Sequence, residues 1–219
     1  MMDLLWQGGK RSMAEMESKA APTRVIFLDR DGTMNVEVNY LHRPEDLRLI
    51  EGTAKAVRMF REAGYQVIVV TNQAGVARGY YTEEDVKKLH DYLNQLLAKE
   101  GAHVDAFYYC PHHPEHGIGA YKRVCQCRKP GIGMFEEAER HLAGGVDKAH
   151  SYMIGDKLLD VEAGHRYGVR TVLVGTGYGS ELRQSEAEGR KLYDAYAETL
   201  LAAAEQICGK GEKEDGRKG

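Results

Sequence analysis

The sequence predicts an α/β fold, a parallel sheet with helices on both faces. Two observations carry that prediction. Short, continuously apolar runs such as RVIFLD (24–29), YQVIVV (65–70) and VRTVLV (169–174) read as strands buried on both sides. Amphipathic helical stretches alternate with them, the arrangement that builds a parallel sheet.

The elements follow in order. After the strand at 24–29, residues 51–64 predict a helix with Ala54, Val57, Met59 and Phe60 as its apolar stripe and Gly64 as its stop. The second strand is 65–70. Thr82 with Asp85 three residues on predicts a capping box opening a helix to about Lys99. A third strand is expected at 104–109, a helix at 135–142, a fourth strand at 151–154, and a helix through Asp160, Val161, Ala163 and Tyr167. The fifth strand is 169–174, and 180–206 is expected to be mostly helix. The Gly-rich stretch 175–179 lacks the spacing of a nucleotide loop and reads as a strand-to-helix turn. A flexible leader is expected over 1–22, one domain over 23–208, and a charged flexible tail over 209–219.

Composition narrows the function. Lys+Arg 30 against Asp+Glu 33 gives a net charge of −3, which leaves no basic excess for a nucleic-acid binder. No apolar run approaches the ~20 residues of a membrane span, and the leader lacks the apolar core of a signal peptide. Three of the four cysteines cluster at 110–127 beside histidines, unlike a secreted disulfide scaffold, so a reducing cytoplasm is expected; a monomer is expected as well.

Ligands of parallel sheets sit beyond the carboxyl ends of the strands, which directs attention to the residues there. The first strand ends in Asp29-Arg30-Asp31-Gly32-Thr33, and residues two apart project the same way. Two neighbouring acids repel unless a hard cation, Mg²⁺ above all, lies between them. The second strand ends in Thr71, Asn72 and Gln73, small polar donors. Arg128 and Lys129 precede a helix, and the fourth strand ends at Asp156 and Lys157, Asp156 bringing a third carboxylate and Asp160 lying one turn later. Arg128, with its planar fork, suits a phosphate; Arg43, Arg78 and Lys157 are further candidate cations.

A second constellation is Cys110-Pro-His112 with Cys125-Gln-Cys127. Three thiolates and an imidazole close a tetrahedral shell, as in a structural zinc site. The intervening residues are too polar to fix the loop by packing, so a metal clip would place Arg128 and Lys129. His113 and His116 compete with His112 for the fourth position. Cys208 is expected to be a small core filler.

These pieces together resemble the haloacid dehalogenase-like (HAD) superfamily of phosphohydrolases: DRDGT (29–33), the Thr of TNQ (71–73), Lys129 and GDKLLD (155–160) match its four motifs, over about residues 24–178. The resemblance implies a Rossmann-like three-layer α/β/α sandwich with a minimal cap, and an aspartyl-phosphate route. Asp29 would attack phosphorus, and Asp31 would protonate the leaving oxygen and then activate water. Thr71, Lys129 and backbone N–H groups of the 31–32 turn would hold the phosphoryl oxygens. Mg²⁺ would be held by the carboxylates of Asp29 and Asp156 and the carbonyl of Asp31. More narrowly, FLDRDGTMN, TNQAGVARGYY, YCPHHP, CQCRKP and MIGDKLLD resemble the heptose bisphosphate phosphatases, with the histidinol-phosphate phosphatases sharing much of the pattern. That implies His112 as the zinc ligand, sugar contacts from Glu37, Val38, Asn39 and Tyr40, substrate contacts from Asn72, Gln73, Arg128 and Lys157, and loss of the 7-phosphate of D-glycero-D-manno-heptose 1,7-bisphosphate.

Overall fold

The computed structural model describes residues 20–185 and 192–209. The expected leader lies outside these residues up to position 19, and the expected tail from position 210 on. Six strands form one parallel sheet: β1 (Val25–Leu28), β2 (Gln66–Asn72), β3 (Ala106–Cys110), β4 (Tyr152–Gly155), β5 (Arg170–Val174) and β6 (Ala195–Ala197), in the order β3-β2-β1-β4-β5-β6. The chain builds outward from β1 through β2 to β3, then returns to the other side of β1 for β4, β5 and β6. The order therefore reverses between β1 and β4, and the crevice at their carboxyl ends is where such sheets bind ligands.

Strand alternation divides the core into two layers. Ile26 and Leu28 of β1 pack with Val57 and Phe60 of α1 (Thr53–Glu62), Leu89 and Leu93 of α3 (Glu83–Ala98) and Ala203 of α7 (Leu200–Cys208). Val25 and Phe27 face the opposite way, toward Met134 and Phe135 of α4 (Gly133–Arg140) and Tyr167 of α5 (Leu158–Tyr167). Phe27 meets Phe135 at 4.8 Å and Tyr167 at 5.7 Å between ring centroids. Each fully buried side chain of this kind stabilises the fold by roughly 1.5–3 kcal/mol.

The capping box of α3 is present: Asp85 N–H donates to Thr82 Oγ1 and Thr82 N–H to Asp85 Oδ2. Its stripe Leu89, Leu93, Leu97 is buried at helical spacing. Gly64, at φ +82°, follows α1. β3 begins two residues later than expected, because Asp105 is occupied in accepting the N–H of Val67 and pairing with Arg61. A four-residue helix, α2 (Ala74–Ala77), follows β2 and was not expected.

The expectation that 180–206 is mostly helix misses a strand among the described residues. Among the described residues, helix α6 spans Gly179–Ser185, β6 pairs with β5, and Leu200–Cys208 is helical again. Asp194 accounts for the difference: its carboxylate accepts the backbone N–H and the hydroxyl of Thr171 at 2.8 and 3.0 Å, pinning the next three residues alongside β5. Ala-Tyr-Ala has no local preference strong enough to resist that anchoring.

Between β1 and β2 lie a short 3₁₀ turn (Pro44–Asp46) and α1; between β2 and β3 lie α2 and α3. Among the described residues no inserted domain covers the carboxyl edge, in keeping with the minimal cap. Among the described residues no helix is long and apolar enough to cross a membrane.

Candidate active site

The site assembles at the β1/β4 crevice. Asp29 leaves β1 directly, and its Oδ1 receives the Lys129 ammonium at 2.8 Å. The same ammonium lies 2.6 Å from Asp160 Oδ1 and donates to Val70 O at 2.7 Å. Lys129 is 2% exposed, so the ion is held wholly by protein groups. Burial alone would lower its pKa; Asp160 and Asp29 outweigh this and raise it. Asn72 keeps the lysine in place from β2, exchanging two hydrogen bonds with the Lys129 backbone at 3.0 and 3.1 Å.

Asp156 is fully buried at the end of β4. Its Oδ2 accepts the N–H of Tyr178 at 3.0 Å, while Oδ1 is buried with no hydrogen-bond partner. Carboxylate oxygens of Asp29, Asp156 and Asp160 lie within 4.8 Å of one another. Burial, then the charge of Asp29, pushes Asp156 up to about 8, and burial also pushes Asp160 up. Three carboxylates face the Lys129 ammonium, with the Lys157 ammonium 3.9 Å from Asp156 Oδ2, which still leaves excess negative charge, and the orphaned carboxylate oxygen fits a cation ligand. The donor set is all oxygen, as a hard divalent ion requires. Gly32, at φ +84°, and Gly177 are packed against this carboxylate so closely that a Cβ on either would overlap Asp156 Oδ2.

Asp31 does not join that cluster. Its carboxylate is held apart by Arg30, Asn35 and Gln73. Burial works to raise its pKa, but the Arg30 guanidinium and these hydrogen bonds hold it below the ordinary carboxylate range. Thr71, at the end of β2, accepts from Gln73 Nε2 at 2.9 Å. One expectation is corrected here: the Gly32 N–H already donates to Asn35 O at 2.8 Å and is not free for a phosphoryl oxygen.

A cavity of about 260 Å³ opens above these groups. Asp29, Asp31, Thr71, Asn72, Gln73, Arg128, Lys129, Lys157 and Asp160 line it, with Glu37, Asn39 and Tyr40 on one wall. Lys157 bridges to that wall through a 2.7 Å ion pair with Glu37, whose pKa is raised, mainly by burial. Val38 is the exception among the expected sugar contacts. It is absent from the lining and 40% exposed. Gln73 is only 2% exposed, and its amide is engaged with Asp31, Thr71, Arg30 and Tyr81.

Cys110, at the end of β3, gathers with His112, Cys125 and Cys127 so that one ligand atom from each lies within 4.8 Å of the others. The Cys127 sulfur is 3.2 Å from that of Cys110, 3.3 Å from that of Cys125 and 3.3 Å from His112 Nδ1. These separations suit four ligands around one tetrahedral ion. The contact with Cys110, followed by those with Cys125 and His112, pulls the Cys127 thiol down to about 5 despite burial, favouring the thiolate. His113 is not part of this cluster, and its Nδ1 accepts the N–H groups of Glu115 and His116. Glu83 anchors the loop a second time by accepting the hydroxyls of Tyr109 and Tyr121 at 2.8 Å. Cys208 is half-buried against the core, as expected.

Two residues escaped the sequence reading. Asp160, which the sequence places one turn beyond Asp156, completes the acidic cluster, and its spacing in GDKLLD is the available signal. Arg30 stood as the spacer between two acids, and no pattern in the sequence signals its complete burial.

A HAD-hydrolase-like family model matches residues 126–203. The chain is 43% identical over 180 residues, 81% of this chain and 94% of that protein, to the D-glycero-beta-D-manno-heptose-1,7-bisphosphate 7-phosphatase of Haemophilus ducreyi. It is 46% identical over 153 residues to the enzyme of the same name from Vibrio cholerae, covering 69% of this chain and 81% of that one. Among solved structures, the D,D-heptose 1,7-bisphosphate phosphatase of B. bronchiseptica, complexed with magnesium and phosphate, aligns with a TM-score of 0.74 at 33% identity over 86% of this chain and 99% of that one.

Proposed function

This chain belongs to the D-glycero-D-manno-heptose 1,7-bisphosphate 7-phosphatase family of HAD-like hydrolases, and we propose that it removes the 7-phosphate from that sugar bisphosphate to give heptose 1-phosphate. The observation that carries this reading is the convergence of Asp29, Asp156, Asp160 and Lys129, with Asp29, Asp160 and Lys129 lining a small open cavity and Asp156 buried behind them. The relatives' names specify the β anomer, which makes it the first substrate to test.

Asp29 is the nucleophile in this account. Its free oxygen attacks phosphorus while Asp31 gives a proton to the departing sugar oxygen; Asp31 then takes a proton from the water that cleaves the aspartyl-phosphate. Lys129 and Thr71 hold the phosphoryl oxygens, Lys129 being kept charged by Asp29 and Asp160. Most of the rate gain in phosphoryl transfer comes from such positioning and charge compensation. Mg²⁺ would be held by Asp29 and Asp156, with the Asp31 carbonyl and with Asp160 nearby, and supplies neutralisation of the phosphoryl charge. Glu37 and Lys157, paired across the cavity, exchange each other for sugar hydroxyls. Arg128 and the Asn39–Tyr40 wall bound the remainder of the substrate. Zinc at Cys110, His112, Cys125 and Cys127 is structural, since a Cys₃His shell leaves no position for water. The small polar substrate and the clustered thiols agree with a cytoplasmic enzyme.

The test is phosphate release from both anomers of heptose 1,7-bisphosphate, compared with histidinol phosphate and fructose 1,6-bisphosphate. The heptose bisphosphate should give the highest kcat/KM; a preference for histidinol phosphate would replace the substrate and leave the mechanism standing.

A further inference from the structure

Among the described residues Arg30 heads the fully buried side chains by volume, with no exposed surface. Placing a guanidinium in the interior is costly until its partners compensate, so an arginine here calls for a reason that an apolar residue would not meet. Its partners supply one. Nε donates to Asp31 Oδ1 at 3.1 Å and Nη2 to Asp31 Oδ2 at 2.8 Å, a two-point grip on the carboxylate. Nη2 also reaches Gln73 Oε1 at 3.2 Å. Gln73 in turn donates from Nε2 to Asp31 Oδ2 at 3.1 Å, and Tyr81 donates its hydroxyl to Gln73 Oε1 at 2.8 Å. Burial pushes the Tyr81 phenol up to about 12, which keeps it a donor. Gly75 makes room for the chain, since a Cβ there would overlap the Tyr81 ring.

We propose that Arg30, backed by Gln73 and Tyr81, is a positioning residue that fixes the plane of the Asp31 carboxyl group against the leaving-group oxygen. The inference rests on the phosphatase reading above and adds to it the group that aims its acid. In the first step the Asp29–phosphorus bond forms and the phosphorus–oxygen bond to the sugar breaks; Asp31, held ionised in the free enzyme by the same grip, takes the proton that the substrate phosphate carries as its monoanion and passes it to that oxygen. In the second, Asp31 recovers a proton from water as the Asp29–phosphorus bond is cleaved. Both transfers require one carboxyl oxygen to point steadily into the cavity. A two-point guanidinium grip sets that angle, and a single ammonium would not.

Leaving-group dependence provides the test. A sugar alkoxide needs the proton, whereas 4-nitrophenolate leaves without it. Arg30→Lys keeps the charge and removes the grip; kcat/KM for the sugar phosphate should fall on the order of 10²-fold while that for 4-nitrophenyl phosphate falls less than about 5-fold, the pattern also expected of Asp31→Asn. Tyr81→Phe deletes only a hydroxyl behind Gln73 and should show the same selectivity at about 3- to 10-fold. It carries the test if Arg30→Lys does not fold. Equal losses on the two substrates, or no loss in a folded variant, overturn the proposal. Each variant is read as a ratio between two phosphates. A wild-type preference for another sugar phosphate would therefore count against the proposed substrate, and the ratio would be measured with that sugar instead.

Discussion

Lys129 and Asp160 form a 2.6 Å ion pair in which each side chain is 2% exposed. Thirty-one positions apart in sequence, they meet because α5 starts directly beyond β4 while the segment after the Cys110–Cys127 cluster crosses the end of β2. The pair fixes the ammonium beside Asp29 even if Asp29 is changed, which separates chemistry from stability at this site.

Asp29→Asn should therefore lower kcat by on the order of 10⁴-fold or more, as loss of a nucleophile does, with a melting temperature close to that of the wild type because Lys129 keeps Asp160 and Val70 O. Phosphate-release assays and thermal melts check both halves. Near-normal turnover by protein shown by mass to be free of deamidation would remove Asp29 from its role.

Gly32→Ala should weaken activation by Mg²⁺. The position has φ +84° and its new Cβ would displace Asp156 Oδ2. Disturbing a group that orients a metal ligand costs about 10- to 100-fold in metal affinity, read as the Mg²⁺ concentration giving half-maximal activity. An unchanged value with normal kcat would show that Asp156 does not hold the ion.

How much of this was legible in the sequence follows from where each residue sits. Asp29, Asp31, Thr71, Lys129 and Asp156 stand at or near element ends, and strand ends are visible as breaks in apolar runs. Arg30 was illegible because an arginine flanked by two acids reads as solvent-facing, and only the return of Gln73 from β2 explains its burial. The role of Asp160 depends on Lys129 arriving from a distant loop. β6 failed for a related reason: three residues of Ala-Tyr-Ala become a strand only because Asp194 binds Thr171. Local pattern carried the sheet and the motifs, while pairing between distant segments decided the rest.

Cys125→Ser should abolish stoichiometric zinc and loosen the segment carrying Arg128 and Lys129. Elemental analysis of protein purified without a metal-affinity tag should give about one zinc per chain in the wild type. The variant should give far less, with kcat/KM reduced by about tenfold or more. Wild-type protein without zinc would refute the metal clip.

His90 provides a pH test of stability. It is buried against Phe107, with Nε2 unpartnered. Burial first, then Arg30, lowers its pKa to about 3, with Asp31 opposing. The unfolded chain binds this proton at about 6.5 and the folded chain does not until about 3, so the unfolded state carries more protons in between and stability falls as pH drops through that window. His90→Phe should flatten this slope: the difference in unfolding free energy between variant and wild type should grow by a few kcal/mol from pH 7 to pH 4. A constant offset due to packing drops out of that comparison. Parallel stability curves would contradict a neutral buried His90.

The most direct measurement is the ³¹P NMR spectrum of heptose 1,7-bisphosphate after incubation with the enzyme and Mg²⁺. The account predicts disappearance of the C7 phosphomonoester signal, growth of inorganic phosphate, and retention of the anomeric C1 phosphate. Loss of the C1 phosphate first, or both signals persisting while histidinol phosphate is hydrolysed, would contradict it.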